Sequence, residues 1–76
     1  MSTQAAADVA LVRWPEDNAT RRRLQAARMP RLLVVAPGEP PPVAADDLED
    51  WIRLPLDEEE YRVRVTTLQA RADALG

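Results

Sequence analysis

The 76-residue chain contains no cysteine, no histidine and no lysine, and only two glycines. Without cysteine there are no disulfide staples and no thiolate nucleophile. Without histidine the commonest general base and the usual zinc ligands are missing as well. Two glycines, at positions 38 and 76, cannot build a glycine-rich phosphate loop. Long apolar runs are also missing: no window approaches the roughly 20 residues of a membrane span. Residues 1–8 carry no basic stretch ahead of an apolar one, so they do not read as a secretory leader. A cytoplasmic domain is therefore expected, with no membrane partner.

Ten basic residues, all arginine, stand against 13 acidic ones, for a net charge of -3. This balance argues against direct nucleic-acid contact through a phosphate-neutralising face. Arginine in place of every lysine, among many alanines and valines, is the residue usage of a GC-rich bacterial genome. A chain this short buries only about 60 % of its unfolded surface. One small core fits that size; a core with a deep catalytic cleft does not.

Residues 1–7 are small and polar and read as a disordered N-terminus, followed by a single α/β domain over 8–76. Val9-Ala10-Leu11-Val12 is an unbroken apolar run stopped by Trp14-Pro15, and it predicts a strand covered on both faces. Glu16 to Met29 holds no glycine or proline and is rich in helix formers, with acidic residues first and basic ones later. It predicts a helix with Pro15 at its start and Pro30 as its stop. Leu32-Leu33-Val34-Val35-Ala36 is the most apolar run and predicts a central strand. Pro37 to Asp47 forms a proline-rich connector, with a short helical turn expected over Ala44–Leu48.

Trp51-Ile52-Arg53-Leu54 alternates, which predicts an edge strand with Ile52 and Leu54 on one face and Trp51 and Arg53 on the other. Asp57 with Glu60 makes a capping box, and Leu56 can staple onto Tyr61. The helix that follows is expected to run to about Leu75, with Gly76 as its cap and Tyr61, Val65, Leu68, Ala72 and Leu75 facing the sheet. Glu58–Arg62 and Glu60–Arg64 are favourable i,i+4 pairs. The resulting architecture is α/β: a small, mainly parallel three-stranded sheet in the order β-α-β-β-α. Both long helices are expected on one face, leaving the other to the proline-rich segment or to another chain.

Carboxylates are the only abundant reactive groups. Asp57-Glu58-Glu59-Glu60 is explained by capping and by the helix dipole. Asp46-Asp47-Glu49-Asp50 lacks the glycine-punctuated alternation of a calcium loop. Neither sits across a cleft from a second acid, so no catalytic, cofactor or metal residue is assigned. Arg21-Arg22-Arg23 points in three directions around its helix and reads as a solvated face. Trp14 and Trp51 pack in the core or at its rim, or anchor an interface. Val63, Thr67, Ala70 and Ala74 form a second stripe on the back of the last helix, flanked by Arg62 and Arg64. These six residues, with Trp51 and Arg53 on the edge strand, are the candidate dimer interface.

Asp50-Trp51-Ile52-Arg53-Leu54-Pro55-Leu56, followed by Glu58-Glu59-Glu60-Tyr61-Arg62-Val63-Arg64-Val65, resembles the last strand and helix of bacterial response-regulator receiver domains. The type it is most similar to is the receiver that precedes a winged-helix DNA-binding domain. Residues 30–38 look like the fourth receiver strand and residues 9–13 like the first, so the resemblance covers 48–75 well and 9–38 loosely. It implies a truncated receiver, or flavodoxin-like, architecture, and a homodimer whose last helix and neighbouring strand form the contact. The departures bear on function. Leu54 stands where the family has lysine, no strand ends in a phosphoacceptor aspartate, and Arg13-Trp14 replace the acidic pair after the first strand. The expectation is a reduced pseudo-receiver, neither phosphorylated nor magnesium-bound. It would be the N-terminal dimerisation or regulatory domain of a transcription regulator whose winged-helix domain lies outside this chain. The alternative is a stand-alone interaction adaptor. The genomic reading frame separates the two.

Overall fold

The computed structural model describes residues 8–75. The element order is β1 (Ala10–Trp14), α1 (Asn18–Ala26), β2 (Arg31–Val35), β3 (Glu49–Arg53) and α2 (Glu58–Leu75). The strands form one sheet in the order β1-β2-β3, and both neighbouring pairs are parallel. The α/β class, the element order and the central place of β2 are as expected. The expected disordered N-terminus and the Gly76 cap lie outside the described residues.

The register aligns Ala10 with Arg31 and Glu49, Leu11 with Leu32 and Asp50, Val12 with Leu33 and Trp51, Arg13 with Val34 and Ile52, and Trp14 with Val35 and Arg53. Side chains alternate along a strand, so these rows alternate between two faces. One face carries Arg31, Glu49, Val12, Leu33, Val35 and both tryptophans. Here α1 and the 37–48 segment pack: Arg21 of α1 reaches Glu49 and lies over the Trp14 ring. The other face carries Leu32 and Ile52, which with Leu68 of α2 form a buried cluster edged by Val9, Val34, Tyr61 and Val65.

The helices therefore lie on opposite faces, which corrects the expectation of both on one. The cause is the β2–β3 connection. It contains no helix and lies over the first face beside α1, so α2 is the element that closes the second. The helical turn expected over Ala44–Leu48 is absent. That stretch is extended and then turns at 46–48, where Asp46 accepts from the Leu48 N–H through Oδ1 at 2.9 Å and from the Glu49 N–H through its carbonyl at 3.3 Å. An aspartate that supplies such bonds favours a turn over a helix. Further back, Pro37-Gly38 makes a tight turn closed by the Glu39 N–H on the Ala36 carbonyl at 3.2 Å, with Gly38 at φ 85°. A positive φ at the third turn position is what glycine supplies.

Helix α1 is shorter than expected at both ends. It begins three residues after Pro15, at Asn18, because residues 15–17 are a turn tied by the Asp17 N–H to the Arg13 carbonyl. It ends at Ala26, where the Met29 N–H bonds the Leu24 carbonyl and the Arg28 N–H bonds the Gln25 carbonyl. This is a Schellman ending, with Arg28 at φ 59° in the place glycine usually takes.

Helix α2 has its expected start, because the Glu60 N–H donates to Asp57 Oδ1 at 3.0 Å. Glu60 itself turns to Arg64 rather than completing the box. No ion pair joins Glu58 and Arg62 among the described residues. With 18 residues, α2 is about 27 Å long. The five-residue strands span about 17 Å. Its last turn overhangs the sheet, so Leu75 is 58 % exposed although it belongs to the sheet-facing stripe. Among the described residues no helix is long and apolar enough to cross a membrane.

Left-handed backbone costs an L-residue about 1 kcal/mol or more. Arg28→Gly is therefore expected to raise the urea midpoint of unfolding by the equivalent of about 1 kcal/mol, whereas Arg22→Gly in the middle of α1 should lower it by a similar amount.

Candidate interaction surface

Adjacent parallel strands begin with Arg31 and Glu49, and the register places the two residues side by side. Both side chains are fully buried. Arg31 Nε donates to Glu49 Oε1 at 2.9 Å, its Nη1 to the Met29 carbonyl and its Nη2 to Asp46 Oδ1, each at 2.8 Å. Glu49 also accepts from Arg21 Nε at 2.9 Å, from Arg21 Nη2 and from the Ala45 N–H at 2.8 Å. Arg21 Nη2 reaches the Val43 carbonyl as well. Burial pushes the Glu49 carboxyl up, but the bonds from Arg21, the Ala45 N–H and Arg31 outweigh it and hold the group below its ordinary value. A carboxylate held ionised by two guanidinium groups is neither a general acid nor an available metal ligand. The cluster is structural, and it accounts for Asp46 and Glu49 of the first acidic run. Arg21 is not part of a solvated arginine face as expected; Arg22 and Arg23 are exposed, while Arg21 turns inward.

A third arginine joins one acid of that run, Asp50, to Glu60 of α2. Arg64 of α2 donates through Nη1 to Asp50 Oδ2 at 3.1 Å and through Nη2 to Glu60 Oε2 at 2.9 Å. Its Nε is buried without a partner among the described residues. No group of three or more acidic side chains placed to hold a metal ion occurs among the described residues.

The eight candidate interface residues fall on different sides of the molecule. Val63, Ala70 and Ala74 lie exposed on the outer side of α2, with Arg62 beside them, and Thr67 is half-buried. Arg64 is engaged with Asp50. Trp51 and Arg53 sit on the opposite face of the sheet, with the Arg53 guanidinium 5.4 Å from the Trp51 ring centre. Arg53 Nη1 also holds the carbonyls of Glu39, at 2.8 Å, and Ala36, at 3.3 Å. The structure does not bring the α2 stripe and the Trp51–Arg53 pair into one surface.

The uncovered apolar surface lies elsewhere. A helix about 10 Å wide covers about two strands spaced 4.8 Å apart. Helix α2 covers β2 and β3, and β1 is left open on that face. Leu11 is 56 % exposed there, and Arg13 beyond it is exposed. This overturns the expectation of a β1 covered on both faces. The unbroken apolar run concealed it, and the signal was Arg13, two residues from Leu11 and in phase with it. A shallow hollow between Arg28, Leu48, Ala72 and Leu75 lies under the overhang of α2.

Removing one partner of a buried pair typically costs about 3–5 kcal/mol. Glu49→Gln is expected to cost that much in urea unfolding, whereas Arg64→Met, which breaks half-exposed pairs, should cost about 1 kcal/mol or less. Because the folded-state value of Glu49 is depressed, its contribution is present above the unfolded glutamate value, about 4.3. It is lost as pH falls through the lower folded value. The parent should lose stability steeply below about pH 4.3, and Glu49→Gln less steeply.

Comparison with protein-family models, with curated proteins and with solved structures finds no match to this chain.

Proposed function

We propose that this chain is a non-catalytic association module. In this reading it is a homodimerising, regulatory domain of the kind that precedes a winged-helix DNA-binding domain in bacterial transcription regulators. The observation that supports association is the open strip of β1 beside α2, with Leu11 56 % exposed in an otherwise small core. Support for a non-catalytic role comes from the carboxylates. Asp46 and Glu49 are taken up by Arg21 and Arg31, Asp50 and Glu60 by Arg64, and Asp57 by the α2 cap. The regulatory setting rests on the resemblance of residues 48–75 to the end of a receiver, with Leu54 in the lysine position.

The association reading is tested by light scattering coupled to size-exclusion chromatography of the parent chain. A dimer is expected; a chain that stays monomeric at high micromolar concentration contradicts it. The pseudo-receiver reading is tested separately, by incubation with acetyl phosphate and magnesium. Intact-mass measurement should show no addition, and a stable, acid-sensitive gain of one phosphate would overturn it.

A further inference from the structure

The two edges of the sheet differ in their unpaired backbone groups. In a parallel ladder alternate residues point both N–H and C=O at one neighbour. The Arg31 N–H bonds the Leu48 carbonyl and the Leu54 N–H bonds the Val35 carbonyl, so even-numbered residues of β3 face β2. Odd-numbered ones face outward. On that outer edge two donors are engaged: the Glu49 N–H donates to the Asp46 carbonyl and the Trp51 N–H to Asp50 Oδ1 at 2.8 Å.

On β1 the Ala10 N–H bonds the Pro30 carbonyl, so Ala10, Val12 and Trp14 face β2 while Leu11 and Arg13 face outward. The Arg13 carbonyl is already engaged by the Asp17 N–H. The Leu11 N–H, the Leu11 carbonyl and the Arg13 N–H have no partner among the described residues. Edges of this kind are normally blocked by a charge, a bulge or a covering element. Here the outward groups sit beside the exposed Leu11 side chain.

We infer that the outer edge of β1 pairs antiparallel with the same edge of a second copy, about a two-fold axis through Leu11, so that one sheet runs through both molecules. This rests on the association reading above and names its surface. The occupant is a second copy because the edge is self-complementary about a two-fold axis at Leu11. With Leu11 opposite Leu11 of the other copy, each Leu11 N–H reaches the other's Leu11 carbonyl, and each Arg13 N–H reaches the other's Val9 carbonyl. The register centred on Val12 would direct the Leu11 N–H at the Arg13 carbonyl, which Asp17 already occupies, and would keep two bonds; the Leu11 register directs only the Val9 N–H there and keeps four. The chosen register also covers each exposed Leu11 with the other. Pro15 ends the edge just beyond Arg13. An edge this short buries less than a standard interface of about 1,600 Å², so association is expected at micromolar rather than nanomolar concentration.

The chain has no cysteine, so a single introduced thiol reports its own symmetry mate. Hydrogen-bonded antiparallel partners have Cα atoms about 5.5 Å apart, inside the disulfide range of about 4.4–6.8 Å. Full-length Leu11→Cys under mild oxidation should convert to a covalent dimer, and Ala70→Cys, on the outer side of α2, should not. Leu11→Lys, a surface change, should weaken dimerisation at least tenfold with unchanged circular dichroism. A parent that is dimeric by light scattering while Leu11→Cys fails to cross-link overturns the β1 edge and leaves the association reading standing. Efficient cross-linking of Ala70→Cys instead moves the contact to α2. A monomeric parent overturns both.

Discussion

The buried pair of Arg31 and Glu49 is the constraint on which the rest of the structure depends. Neither charge is tolerable in that position alone, because an uncompensated buried ion costs several kcal/mol. Together they fix how β2 and β3 align. A slip of one residue would turn Glu49 to the other face, against the apolar cluster of Leu32, Ile52 and Leu68. The pair also recruits what surrounds it. Arg21 brings α1, and Asp46 and the Ala45 N–H bring the end of the 37–48 segment, all onto one face. With that face filled, the other falls to α2.

From this division follows the asymmetry of the sheet's edges. One helix cannot cover three strands, and α2 sits over the two that hold Leu32 and Ile52. Arg64 on its outer flank reaches Asp50 and holds one carboxylate oxygen, while the other oxygen accepts from the Trp51 N–H. The edge on the side that α2 approaches thus has its Trp51 N–H engaged by a side chain. The far strand, β1, has neither a helix over that face nor a side chain across its edge. The same placement that builds the core leaves Leu11 and the backbone beside it without partners among the described residues.

Much of the fold was legible from local pattern. The central strand is visible in Leu32 to Val35, the α2 start in Asp57 and the two faces of β3 in the alternation of Trp51, Ile52 and Arg53. What local pattern could not show was anything set by register. Arg31 reads as a polar residue ahead of an apolar run, and Glu49 as one acid among several. Only the alignment of their strands makes them partners. The helix arrangement was missed for a related reason, since which face α2 closes depends on where a helix-free connection happens to pack. The open strip on β1 was hidden because an unbroken apolar run reads alike whether one or both faces are covered. Arg28 ends α1 without glycine, so no residue type marked that boundary.

Amide hydrogen exchange, followed residue by residue across protein concentrations, tests the account most directly. The Trp51 N–H, held by Asp50 within one molecule, should exchange slowly at every concentration. The Leu11 N–H should exchange rapidly in dilute solution and become protected as the concentration rises through the micromolar range. Leu11 exchange that stays fast and independent of concentration, while Trp51 remains protected, would contradict the claim that the free edge of β1 is where this chain meets its partner.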